Sequence, residues 1–360
     1  MFFPSYRPFS HHGFALLVAC SALLTAPAFA DDPKPLTSAE SQIFWSSPED
    51  SVPEVRHAYK KENEGQHFLY CDELHLELFE PGLRNLGGGY MGVGTDQAYL
   101  FIGWMRPQFA WLTDYDPLVQ VMHRLYALFF AEATTPTEFV TLWRDRKVGL
   151  AVINQRAAND PQLPAFIKLY TQQQPYTLRR LDYLTRPVNK VRVKTFVNDA
   201  EDYAYVRALV AARRVRPMLG NLLSDKGLKG AGDAARKLNV PIRALYVSNA
   251  EQYWKYSAGY RQNVQALPFD AKSWLVRTQA SKPSNHDYRY YLQSATLFAT
   301  QLNNPKITTT YEAVPYVAVD DPTTAPLTTI DADGKRTLKW NKPPVKPIPA
   351  AAVPPPGSDP

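Results

Sequence analysis

The sequence predicts an open α/β sheet with helices on both faces, and three observations carry that prediction. The first is a glycine-rich corner, Leu86-Gly87-Gly88-Gly89-Tyr90-Met91-Gly92-Val93-Gly94-Thr95-Asp96-Gln97, with Asp114 closing the next apolar run, Phe109 to Thr113. Strand, glycine turn, helix and a second strand ending in a carboxylate form the nucleotide-binding corner of a Rossmann-like sheet. The second is a return to the same alternation after residue 215, where Ile242 to Val247 reads as a buried strand. The third is the long stretch between these two regions, whose apolar spacing is helical.

Taken in order, Gln66 to Leu86 carries Phe68, Leu69, Leu74, Leu76, Leu78 and Phe79, a run compatible with a helix before the first strand. Tyr90 to Val93 is the first strand and Asp96 to Met105 its helix, stopped at Arg106-Pro107. Phe109 to Thr113 is the second strand. A helix over Leu118 to Ala133 is marked by an apolar stripe at Leu118, Val121, Met122, Leu125, Tyr126, Phe129 and Phe130. Thr137 to Trp143, Val148 to Tyr170 and Asp199 to Arg214 continue in helix, so residues 115–215 form a helical insertion between strands two and three. Such a connection is far longer than the usual few residues and one helix. Arg216 to Leu222 is a short strand and turn, Lys226 to Leu238 a helix, Glu251 to Tyr260 a helix and Ser273 to Thr278 a strand. Tyr288 to Gln301 reads as helix, and Thr308 to Val319, alternating and rich in threonine, as late strands.

The ends are different in kind. Residues 1–30 hold a single full charge, Arg7, an apolar core from Phe14 to Leu24 and the small-x-small site Ala28-Phe29-Ala30, the signature of a cleaved signal peptide. A periplasmic or secreted location follows, with lipid attachment at Cys20, in Leu17-Val18-Ala19-Cys20, as a minor alternative. No later stretch reads as a transmembrane segment. Cleavage after Ala30 leaves Cys71 as the only cysteine, which rules out an internal disulfide and makes that thiol core filler before a nucleophile. Residues 31–65 read as a loosely packed leader, 66–320 as the α/β domain, and 321–360 as a proline-rich disordered tail.

Net charge is +6, and Arg179 to Arg243 concentrates fifteen Lys or Arg against six Asp or Glu. That excess suits an acidic envelope component as partner, or simply a solvated helical face. The oligomeric state has no signal in the sequence.

Two corners could carry chemistry. Gly92 and Gly94 permit a tight turn and close backbone approach, the next helix offers N–H groups to a ligand, and Asp114 lies where a carboxylate accepts ribose hydroxyls. The same glycines also serve plain strand-to-helix turns. In the second corner, Ser248-Asn249-Ala250-Glu251-Gln252-Tyr253-Trp254 follows an apolar strand, so Ser248, Asn249, Glu251 and Tyr253 are candidate catalytic residues in the same crevice. Ser248 or Asn249 could equally cap a helix, with Glu251 completing the cap. Asn221 could face an adenine edge or turn the chain. His57, His67, His75, His123 and His286 lack zinc-motif spacing, and His123 sits in an apolar helical stretch as a satisfied core histidine. Neither a Gly-x-Ser-x-Gly elbow nor a phosphate-binding Gly-x-x-x-x-Gly-Lys-Ser/Thr loop occurs.

These segments together, with Met218-Leu219-Gly220-Asn221-Leu222 and Leu245 to Tyr253, resemble an uncharacterised bacterial family of Leptospira type. That family is similar in fold to S-adenosylmethionine-dependent methyltransferases. The resemblance covers roughly Gln66 to Gln301 and implies a seven-stranded methyltransferase-like Rossmann sheet. It would make Gly92, Gly94 and Asp96 the cofactor loop, Asp114 the ribose partner, Asn221 the adenine contact and Ser248-Asn249 the catalytic corner. Asp96 stands where methyltransferases usually keep a third glycine, which would put bulk and negative charge beside the cofactor path. Export would also separate the protein from its methyl donor. The expectation is therefore a methyltransferase-like fold that binds a small ligand or a partner in the strand-end crevice without methyl transfer. S-adenosylmethionine-dependent methyl transfer and a basic interaction surface are its rivals.

Overall fold

A computed structural model describes residues 33–52, 67–186, 193–280, 287–319 and 324–341. Eight strands form one sheet: β1 Gly89–Gly92, β2 Phe109–Asp114, β3 Val215–Leu219, β4 Ile242–Ser248, β5 Trp274–Ala280, β6 Tyr288–Ser294, β7 Pro326–Ile330 and β8 Arg336–Trp340. Their spatial order is β3-β2-β1-β4-β5-β6-β7-β8. The first five run parallel, β6 is antiparallel to β5, β7 is parallel to β6, and β8 is antiparallel to β7. The sheet is mixed. From β1 the chain builds outward through β2 to β3, then returns to the other side of β1 with β4. At such a reversal the connections leave to opposite faces, and a crevice opens outside the carboxyl ends of β1 and β4.

Each face of the sheet buries its own core. Tyr90, Leu112, Tyr246 and Val276 point to one side, where α3 Asp96–Met105 and the five insertion helices pack. Those five are α4 Pro117–Glu132, α5 Pro136–Arg144, α6 Arg146–Arg156, α7 Leu163–Leu184 and α8 Ala200–Ala211. Met91, Trp111, Leu245 and Val247 point to the other side, under α1 Ser38–Trp45, α9 Gly227–Lys237, α10 Ala258–Gln265 and α11 Ala295–Gln301. A period of two along buried strands produces this division. The insertion holds itself together with interlocking rings: Tyr126, Phe130, Phe139 and Trp143 pack with centroids 4.6 to 6.4 Å apart. Among the described residues no helix is long and apolar enough to cross a membrane.

Several expectations need correction. The helix expected over Gln66 to Leu86 shrinks to a 3-10 turn, Leu76–Phe79, running into α2, Glu80–Leu83, because residues 67–75 form an irregular strap tied down by side chains. Glu251 to Tyr260 is a 3-10 turn, Ala250–Tyr253, a break, and the start of α10. Tyr288 to Gln301 is strand for its first half: all seven residues of β6 are buried, so no alternation marks it as a strand. Thr308 to Val319 holds no strand but a short helix, α12 Thr310–Ala313, started by a Thr309/Glu312 capping box. The tail begins later than residue 321, since β7 and β8 extend the sheet to Trp340, giving eight strands instead of seven. The leader is not loose over residues 33–52. Phe44 is fully buried against Phe109 and Trp111, and the Asp50 carboxylate accepts the N–H groups of Asn221, Lys226 and Gly227. The signal peptide, residues 53–66 of the leader and the tail beyond 341 lie outside the described residues.

Candidate functional site

At the carboxyl ends of β1, β2, β3 and β4 lies a cavity of about 320 Å³, in the lower part of the range for small-molecule sites. Its wall is completed by the strap, which contributes Phe68, Tyr70, Cys71 and Asp72. Six sequence-predicted residues meet there: Gly94, Asp114, Asn221, Ser248, Asn249 and Tyr253.

Three do not. Gly92 sits behind the cavity, where a Cβ would collide with the Tyr90 hydroxyl, so its role is packing. Asp96 is only 1 % exposed and turns away from the loop: it accepts the Cys71 N–H at 2.7 Å and pairs with Arg180 Nε of α7 at 2.9 Å. The bulk and charge expected beside a cofactor path are therefore absent from that path. Glu251 is buried on the far side of its turn. It pairs with Arg277 at 2.9 Å and accepts the Tyr256 and Tyr260 hydroxyls, so it neither touches the cavity nor caps a helix.

The glycine corner is closed on itself. Gly94, at φ +79°, donates its N–H to Asp114 Oδ2 at 3.0 Å, and the Thr95 N–H goes to Gln97 Oε1 at 3.1 Å. Gln97 in turn donates to the Val93 carbonyl at 2.7 Å. Two amides that a phosphate-cradling loop would keep for its ligand are spent internally. Asp114 also accepts the Asp116 N–H at 3.0 Å on its other oxygen. Burial pushes its carboxyl up to about 6, against the pull of those backbone amides, and Asp116 adds to the rise.

Beneath the cavity lies a residue the sequence reading missed. Glu73, 1 % exposed, accepts Ser248 Oγ at 2.8 Å and Thr278 Oγ1 at 2.6 Å on one oxygen, and the Tyr246 hydroxyl and Cys71 thiol on the other. Burial raises its pKa, and the bonds from Thr278, Tyr246, Ser248 and Cys71 oppose that rise. The Cys71 thiol is itself pushed well above its ordinary range by burial and by Glu73, which keeps it a thiol at neutral pH. Ser248 has φ +52°. Asn85, Arg106, Arg213 and Asn239 share that sign of φ, but each ends or follows a helix, where the left-handed region is ordinary. Among the described non-glycine residues, Ser248 alone takes it at the end of a strand, facing a cavity.

A comparison with protein-family models matches residues 68–331 to a domain of unknown function, DUF7790. The chain belongs to the DUF7790 family. No curated protein matches it. The DUF7790 domain holds every described residue that lines the cavity, from Phe68 to Trp254. It excludes Asp50, which anchors the Asn221 to Gly227 loop from outside.

Within the DUF7790 domain the cavity is acidic and aromatic. Asp72, Asp114 and Asp116 line it, and among the described lining residues there is no Lys, Arg or His. His67 pairs with Asp116 at 2.5 Å from outside the lining. Phe68, Tyr70 and Tyr253 stand exposed at the mouth, with Tyr70 stacked on Tyr176 of α7.

His123 is a core histidine, as expected. Its Nε2 donates to the Gly94 carbonyl at 2.9 Å, and the Tyr99 hydroxyl donates to its Nδ1 at 3.0 Å. Burial holds it down at about 4, below its ordinary 6.5. The unfolded chain then binds this proton between those values and the folded chain does not, so His123 stabilises above 6.5 and loses that contribution as pH falls to 4, by about 3 kcal/mol. Asp114 acts oppositely, since its raised pKa favours the folded state as pH falls from 6 to 3.8. A comparison with His123→Gln isolates the histidine. Urea midpoints should show wild type losing more stability than the variant between pH 6.5 and 4, and a pH-independent difference would remove the assignment.

Proposed function

We propose that this protein binds a small, non-anionic molecule carrying a flat ring and neighbouring hydroxyls, a nucleoside being the simplest example, in the strand-end crevice and without methyl transfer. The observation that carries the reading is the three carboxylates in a cavity whose described lining has no Lys, Arg or His. A phosphate there would meet like charge with no Lys, Arg or His among the described lining residues, and the Gly94 and Thr95 amides of the glycine corner are already taken. Asp114 keeps acceptor capacity beyond its bonds from the Gly94, Tyr115 and Asp116 amides, since an ionised carboxylate offers about four lone-pair sites. The aromatic rings at the mouth suit a planar group. A location in the cell envelope belongs to the same proposal, supported by the composition of residues 1–30.

Asp114→Asn removes the charge while keeping the shape, and it should weaken adenosine binding about tenfold to a hundredfold, the worth of hydrogen bonds to a charged acceptor. Wild-type affinity should also fall as pH drops through 6, where Asp114 takes up its proton. Isothermal titration at pH 7.5 and 5 checks both; unchanged affinity in the variant would remove Asp114 from the site. S-adenosylmethionine adds a carboxylate that the cavity Asp residues disfavour, so it should bind more weakly than adenosine and donate no methyl group; tighter binding than adenosine, or methyl transfer, would overturn the reading.

Methyl transfer is the second reading. It is favoured by Asp96 turning away from the loop and by Asp114, Asn221, Ser248 and Asn249 sharing one crevice, in keeping with a methyltransferase-like ancestry. A basic interaction surface has less support. Arg180 and Arg216 are buried, and Lys194, Arg214, Arg236 and Arg243 are spent in ion pairs on different elements, which leaves fewer of the fifteen for one face.

A further inference from the structure

The direction of the hydrogen bonds around Glu73 fixes what the floor of the cavity beside it can offer a ligand. An ionised carboxylate accepts about four hydrogen bonds and donates none. Glu73 has four donors around it, two on each oxygen: Ser248, Thr278, Tyr246 and Cys71. Each of these side chains owns one O–H or S–H proton, and with Glu73 ionised each proton points at it. Three of the four residues, Cys71, Tyr246 and Ser248, also line the cavity. Cys71 and Ser248, both partly exposed, therefore present lone pairs to its interior and keep no proton for a ligand, while the Tyr246 hydroxyl is fully buried behind them. Ser248 holds this position through a left-handed backbone at the end of β4, a conformation that costs free energy for a non-glycine residue and tends to persist where the surroundings require it. Around this acceptor-only floor stand the Asp72, Asp114 and Asp116 carboxylates, acceptors as well when ionised.

A site built in this way calls for a ligand group with several donors and no acceptor. A hydroxyl supplies one donor, a carboxylate or phosphate none, and a quaternary ammonium none. A primary ammonium supplies three and carries the charge that the carboxylates favour. Aromatic rings at the mouth favour a cation further. We propose that the floor of the crevice seats the primary ammonium group of an organic amine, held by the Ser248 oxygen with the cavity carboxylates as counter-charge. This rests on the reading of the crevice as a site for a non-anionic ligand and narrows it to an amine.

Three probes of one shape test it: tyramine, its alcohol counterpart tyrosol, and 4-hydroxyphenylacetate, titrated into the full chain by ligand-observed magnetic resonance and calorimetry. Tyramine should bind at least tenfold tighter than tyrosol, and 4-hydroxyphenylacetate should bind weakest. Ser248→Ala should remove most of tyramine's advantage and leave tyrosol unchanged. Glu73→Gln brings two amide protons to the same place, so some hydroxyls must reverse towards the cavity, and tyramine should again lose at least tenfold. The wild-type comparison stands without either variant if one fails to fold. Equal binding of tyramine and tyrosol, both ahead of the acid, would overturn the ammonium seat and leave the non-anionic reading in place. Tightest binding of the acid would overturn both, and no binding of tyramine at millimolar concentration would overturn the seat.

Discussion

Replacing Arg180 with leucine is expected to cost the folded state about 3–5 kcal/mol, the scale for stranding one member of a buried ion pair. Arg180 lies on α7 of the insertion, and its guanidinium reaches Asp96 at 2.9 Å and the Glu73 carbonyl at 2.8 Å. Its removal leaves the Asp96 carboxylate, 1 % exposed, with the Cys71 N–H but without counter-charge. The double variant Asp96→Asn/Arg180→Leu removes the stranded charge and should recover a large part of the loss. Chemical denaturation of the two variants checks both. A loss below about 1 kcal/mol for Arg180→Leu would mean that the insertion does not hold the glycine corner and the strap together.

Glu251→Ala should destabilise on the same scale, about 3–5 kcal/mol, because it strands the Arg277 guanidinium, which has no exposed surface at all. The Tyr256 and Tyr260 hydroxyls lose their shared acceptor as well. The folded fraction, held at low temperature, should bind adenosine within about twofold of wild type, since Glu251 does not line the cavity. A stable variant with abolished binding would return Glu251 to the site and contradict its structural role.

Where local chemistry and fold agree, the sequence was legible. The helix Asp96–Met105 is bounded by the glycine turn and by Arg106-Pro107, punctuation that survives although all ten of its residues are buried and no amphipathic stripe marks it. Strand carboxyl ends were legible for the same reason, and they led to Gly94, Asp114, Asn221, Ser248, Asn249 and Tyr253 around one cavity. Periodicity failed where burial was complete or absent. Strand β6 is buried on both faces and so resembles a buried helix, while edge strand β8 exposes nearly all its residues and resembles a tail. Glu73 was missed because the strap has no period. The available signal was Asp72-Glu73 beside a cysteine in an otherwise apolar run, two charges in a segment with little reason to be wet. Glu251 was misplaced because adjacency to Ser248 in the chain says nothing about which side of a 3-10 turn faces the crevice.

The most direct test of a non-anionic ligand site is a paired titration of the full chain with adenosine and adenosine 5′-monophosphate at pH 7.5, in low and in moderate salt. Adenosine should bind at least tenfold tighter than its phosphate ester, with the gap narrowing as salt screens the Asp72, Asp114 and Asp116 charges. Equal or tighter binding of the monophosphate would contradict the account.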